Sequence, residues 1–121
     1  MFKWVGAAVL AVLLSACASP LSGEYAEGSN GKTLLITKQV WGFYQEYVGK
    51  ISSVNRGAFA VAVSGDVGVS AYYTYCPGTT CFGGNYGGDA VKGCRAYGAE
   101  YECILFANSA DIVVNYKIAD W

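Results

Sequence analysis

The feature that most constrains this chain is an apolar run, Trp4 to Leu14, behind the single basic residue Lys3 and ahead of Ser15-Ala16-Cys17. A short positive start, an apolar core and small residues at a cleavage point make a secretory signal peptide. The run falls well short of the roughly 20 apolar residues that a membrane-spanning helix needs. Cleavage before Cys17 would leave residues 17–121 to fold. A chain of that size makes one small domain with a modest core. Export also sets the chemistry of the remaining cysteines, because thiols pair in an oxidising compartment.

The tetrapeptide Leu14-Ser15-Ala16-Cys17 resembles the lipobox of bacterial lipoproteins. In that family the Cys thiol takes a diacylglycerol, the signal peptidase cuts before the Cys, and the new amino group is acylated. The resemblance implies a covalent lipid on Cys17, palmitate among its acyl chains, and attachment to a membrane of the cell envelope. Ala18 follows Cys17. An Asp there tends to retain a lipoprotein in the inner membrane, so outer-membrane sorting on the periplasmic route is expected. The chain thus divides into a signal peptide (1–16), a lipidated tether (17–31) and a small domain (32–121).

Charge and composition exclude several functions. Eight Lys and Arg stand against nine Asp and Glu, a net charge of −1. A nucleic-acid binder needs a basic stripe, and none is present. There is no histidine, so His-based nucleophile activation, acid–base catalysis and metal ligation are all removed. Residues 26–33 fit a relaxed phosphate-loop pattern with Ala26 in place of the first Gly. Such a loop needs a buried strand before it and a helix after it, and Leu21 to Tyr25 make a poor strand, so the match reads as chance and no nucleotide is expected. No metal is expected either: the spacing of Cys76, Cys81, Cys94 and Cys103 lacks the close Cys-x2-Cys pairs of zinc sites. Those four cysteines instead read as two disulfides. Three pairings are open, and the short local rings favour Cys76–Cys81 and Cys94–Cys103.

The first strong periodicity runs from Ile36 through Val40, Phe43, Tyr44, Tyr47, Val48 and Ile51, one face of a helix. Thr37 can cap its start, and Trp41 lies off the stripe. Residues 58–64 and 69–76 read as strands joined by a turn over Gly65 to Gly68, an antiparallel hairpin. From Cys76 to Gly88 the Gly-rich sequence predicts a loop. Asp89 can cap a short helix over Ala90 to Tyr97, ending at Gly98. Strands over Tyr101 to Ala107 and Ile112 to Ile118 follow, around a turn at 108–111. The expected fold is a small single α+β domain: helix, hairpin, short helix, hairpin, with a four-stranded antiparallel sheet, both helices on one face and two disulfides.

The pattern Phe59-Ala60-Val61, Tyr73-Thr74-Tyr75-Cys76, Ala90 to Cys94, Cys103 to Ala107 and Ile112-Val113 is similar to a small Cys-containing domain of exported proteobacterial proteins. The departure is at the end, where a Trp usually follows Ile-Val closely and Trp121 here comes later. This resemblance implies fold and compartment and carries no activity. Combined with the absence of a catalytic constellation in the sequence, it predicts a non-enzymatic, lipid-anchored protein that binds a protein partner. A glycan- or peptidoglycan-binding module is the alternative. It would use the Tyr/Gly-rich stretch 72–88, with Tyr72, Phe82, Asn85 and Tyr86 as contacts, because flat aromatic faces beside backbone donors suit such ligands.

Overall fold

The computed structural model describes residues 22–27, 31–77, 81, 84–98 and 100–121. The signal peptide, Cys17 and Phe82 lie outside the described residues. The elements are a 3-10 turn (Gly23–Tyr25), β1 (Leu34–Ile36), α1 (Lys38–Ile51), β2 (Gly57–Ser64), β3 (Val67–Tyr75), α2 (Tyr86–Tyr97), β4 (Glu102–Asn108), β5 (Asp111–Ile112) and β6 (Tyr116–Ile118). The α+β class and two disulfides are as expected, and the sheet differs. Among the described residues it has six strands in the order β5-β4-β2-β3-β1-β6. It is mixed, because β1 runs parallel to both β3 and β6. The expected four-stranded antiparallel sheet corresponds to its β4-β2-β3 centre alone.

Central strand β2 explains why the helices do not share a face. Its sequence alternates large and small apolar residues, and all of Gly57 to Val63 is buried. Phe59, Val61 and Val63 pack with Val40, Tyr44, Tyr47 and Ile51 of α1. Ala58, Ala60 and Ala62 pack with Ala90, Val91 and Cys94 of α2. A strand apolar on both faces must be covered on both faces, so α1 and α2 sandwich the sheet. The small alanines let α2 lie close.

The caps follow simple chemistry. Thr37 Oγ1 accepts from the Val40 N–H at 3.1 Å and starts α1. Ile36, the first member of the apolar stripe, belongs to β1 instead. Gly65 and Asp66 both have positive φ, which suits the tight two-residue turn joining β2 to β3. Helix α2 starts a turn earlier than expected. Asn85 is its N-cap, with Oδ1 accepting from the Gly88 N–H at 3.0 Å. Asp89 therefore sits in the first turn rather than at the cap.

The stretch 111–118 is not one strand. It splits into β5 and β6, which stand at opposite ends of the sheet. Four residue steps from Ile112 to Tyr116 span at most about 14 Å. Five flat strand spacings would need about 24 Å. The sheet must therefore curl until its ends approach. The seam is filled by a segment expected to be tether: Ala26 bridges Val114, and the Glu27 N–H donates to Val113 O at 2.9 Å. Tyr25 and Val114 join the α1 core, which puts α1 on the concave side. The tether over 17–31 is thus corrected: residues 22–27 are part of the domain, because Tyr25 is an aromatic large enough to close the curled core. Its hydroxyl donates to Asp66 Oδ1 at 2.5 Å.

Disulfide Cys94–Cys103 ties α2 to β4, and Cys76–Cys81 closes the segment after β3. Among the described residues, no helix is long and apolar enough to cross a membrane.

Candidate functional site: the β3 margin

Strand β3 reads Val67-Gly68-Val69-Ser70-Ala71-Tyr72-Tyr73-Thr74-Tyr75. Its cross-strand partners put Ala71, Tyr73 and Tyr75 opposite Val61, Phe59 and Gly57. Those side chains face α1, and Ser70, Tyr72 and Thr74 face α2. Two hollows flank the strand. On the α2 side, Ser70, Tyr72, Tyr97, Gly98 and Tyr101 enclose about 420 Å³, with Cys94 in the wall. On the α1 side, Phe43, Glu46, Ala71 and Tyr73 enclose about 340 Å³.

Tyr72 is the hinge between them. Its ring stacks on Tyr97 with centroids 5.6 Å apart and planes 28° apart. It also covers Gly93 of α2, where a Cβ would come within 2.5 Å of the ring's Cζ. A helix-weakening glycine in the middle of α2 is thereby explained, because only a residue without a side chain lets the ring lie flat there. Tyr97 is 84% exposed and offers the outer face of the stack to solvent. On the other side, the Tyr73 hydroxyl donates to Glu46 Oε1 at 3.3 Å. Burial first, then the neighbouring Glu46, holds the Tyr73 hydroxyl above the ordinary tyrosine range. Glu46 is exposed and is the one charged residue lining either hollow among the described residues.

Of the residues nominated from sequence, Tyr72 stands in the site, Asn85 and Tyr86 do not join it, and Phe82 lies outside the described residues. Asn85 is spent on the α2 cap. Tyr86 opens α2 instead of lying in a loop. It is half-buried against the alanine face, and its carbonyl accepts from Thr74 Oγ1 at 3.1 Å. The expectation of a free aromatic at 86 is corrected for that reason: the Asn85 cap recruits the Gly pair into a helix. Tyr101, Phe43 and Glu46 were not nominated. Their positions depend on which helix lies on which face, and the two-faced apolar pattern of β2 was the available signal. Trp41, off the helical stripe, stacks on Tyr44 and on Tyr116.

The phosphate-loop pattern has no support in the geometry. A 3-10 turn precedes it and strand β1 follows Thr33, while Lys32 Nζ sits 3.6 Å from Glu24 and 3.8 Å from Asp66. No group of three or more metal-ligating side chains occurs among the described residues. The arrangement on the β3 margin can hold a ligand through flat aromatic faces, one carboxylate and main-chain groups. No family model, curated protein or solved structure matches the chain.

Proposed function

We propose that this is a lipid-anchored protein of the bacterial cell envelope, sorted to the outer membrane, that binds a protein partner and catalyses no reaction. The observation that carries the binding part is the pair of hollows on the two sides of β3, walled by tyrosines from β3, from α2 and from the segment that leads into β4. Amphipathic aromatics of this kind are enriched where proteins meet. The anchoring part rests on the Leu14-Ser15-Ala16-Cys17 motif. With Ser22 already in the domain, the link from Cys17 is five residue steps. It reaches at most about 18 Å, so the domain works close to the lipid surface.

Two experiments test this reading. Labelled palmitate should enter the wild-type chain and be lost in Cys17→Ser, and label on that variant would refute the anchor. For binding, Tyr97 is replaced by photoreactive benzoylphenylalanine in living cells. A discrete polypeptide adduct is expected after irradiation. An adduct that disperses on muramidase digestion would favour the glycan alternative, for which the Tyr72–Tyr97 stack offers the flat face. No adduct of either kind would refute the site.

A further inference from the structure

The two hollows flank something more specific than a hydrophobic patch. Strand β3 is paired with β2 from Val67 to Tyr75, with Val69 alone lacking a register partner. On its other side β1 covers Val67 and Gly68 and no more, because the chain turns into α1 after Ile36. From Val69 to Tyr75 that side of the strand has no paired strand among the described residues.

Which groups point outward follows from the ladder. The Cys76 N–H donates to Arg56 O at 3.0 Å. In an antiparallel pair, hydrogen-bonded positions alternate with non-bonded ones. Ala58/Thr74, Ala60/Tyr72 and Ala62/Ser70 are then the bonded pairs. The peptide groups of Ala71, Tyr73 and Tyr75 must point away from β2. The start of the strand agrees: Gly68 O points to β1 and accepts from the Thr37 N–H at 3.2 Å. The register shift beside Ala62/Val63 inserts Val69 and moves the outward phase by one residue, from Gly68 to Ala71.

An open edge is a template for another chain, and proteins ordinarily protect it by shortness, charge or proline. The two terminal strands are protected in that way, and the part of β4 that β5 leaves uncovered begins with the charged Glu102. Strand β5 has two residues and begins with Asp111, and β6 has three and carries Lys117. The open part of β3 is seven residues without charge or proline. It is also the margin on which both hollows lie. A strand added there would send alternate side chains to opposite faces, one set into each hollow.

We infer that the β3 margin from Ala71 to Tyr75 receives an extended segment of a partner polypeptide, which adds to the sheet as a strand. Its main chain pairs with the outward N–H and C=O groups of Ala71, Tyr73 and Tyr75. An apolar or aromatic side chain enters the Tyr72/Tyr97/Tyr101 hollow, and a Lys or Arg on the opposite face meets Glu46. This is strand addition with side-chain pockets on alternate positions. A second copy of this chain is disfavoured as the occupant. Two-fold pairing of β3 on β3 keeps like faces together and brings the two Glu46 carboxylates to the same side of the junction, where like charges repel. The inference rests on reading the protein as a binding module, and it specifies the partner's conformation.

The test uses the full chain in detergent micelles and a phage-displayed library of random seven-residue peptides. Enriched sequences should alternate, with an apolar residue beside a basic one. A recovered peptide is then resynthesised with N-methyl amides at odd or at even positions. A net main-chain hydrogen bond corresponds to roughly threefold to tenfold in affinity. One methylation phase should therefore weaken binding by about tenfold or more, and the other by less than about twofold. Ala71→Pro removes an outward N–H at a position where an edge strand tolerates proline, and should weaken binding by about tenfold. Should Ala71→Pro fail to fold, Glu46→Lys gives the answer from an exposed position: it should weaken the basic peptide and favour its acidic counterpart.

Equal effects of both methylation phases, or no enriched sequence, would overturn strand addition. So would Ala71-dependent self-association in sedimentation, which would make a second copy the occupant, or displacement of the peptide by isolated sacculi, which would make it a glycan. A polypeptide adduct at position 97 together with a failed peptide selection would leave the binding module standing and remove this inference alone. Failure of both would remove both.

Discussion

Two glycines in helices should respond differently to the same substitution. Gly42 lies on the exposed side of α1, and a Cβ there meets nothing within 4 Å. Gly42→Ala should stabilise the fold by about 1 kcal/mol, the helix-propensity difference. Gly93 has the same propensity deficit, yet a Cβ there would enter the Tyr72 ring. That ring is held between Tyr97 and the α2 backbone. Forcing a methyl into such a contact costs about 1–3 kcal/mol. The gain from propensity then leaves Gly93→Ala between neutral and about 2 kcal/mol destabilising. In a Tyr72→Ala background the obstruction is gone, and Gly93→Ala should stabilise by about 1 kcal/mol. Urea melts with a common m-value measure all three effects. Stabilisation by Gly93→Ala as large as by Gly42→Ala, in the presence of Tyr72, would refute the placement of Tyr72 over α2.

Three further outcomes follow from the core. Removing the Cys94–Cys103 bond by a double Ala substitution should cost about 2.7 kcal/mol by the chain-entropy relation for a ten-residue ring, seen as a shift in the urea midpoint. Tyr47 is buried and its hydroxyl donates to Ser109 O at 2.6 Å, so Tyr47→Phe should cost about 1–3 kcal/mol by leaving that carbonyl unpaired. Desolvation raises the Tyr47 hydroxyl well above the usual range. Its unfolded value is about 10. Below pH 10 both states hold the proton and stability is unaffected. Above it the unfolded state loses the proton first, so stability must fall as pH rises, which a series of melts between pH 8 and pH 11.5, roughly one unit or more either side of that value, would show.

The sequence made some of this legible and hid the rest for physical reasons. Helix α1 was readable because Val40, Tyr44, Tyr47 and Ile51 repeat at helical spacing and Thr37 caps them. The β2–β3 hairpin was readable because Gly65-Asp66 suits a tight turn. The two-sided burial of β2 was present in its Ala/Phe/Ala/Val alternation, but alanine is a weak hydrophobic signal and conceals a packed face. Strand β1 could not be seen: Leu34 to Ile36 is three residues long, and its parallel partners are distant in sequence. Tyr25 sits among small polar residues that resemble a linker. Its burial depends on the curl of the sheet, which follows from the break at Val113 to Asn115. Tyr72 was nominated for its company of tyrosines, and it lines both hollows beside β3. Asn85 and Tyr86 were misplaced because glycines near a helix start resemble a loop until the cap is recognised.

The central claim is that β3 has one open margin from Ala71 to Tyr75. Amide hydrogen exchange resolved by residue tests it directly. The account predicts alternation along the strand: slow exchange at Ser70, Tyr72 and Thr74, whose N–H groups point to β2, and fast exchange at Ala71, Tyr73 and Tyr75. Uniform protection across all six amides in the isolated full chain would contradict it, because the outward groups would then already be paired.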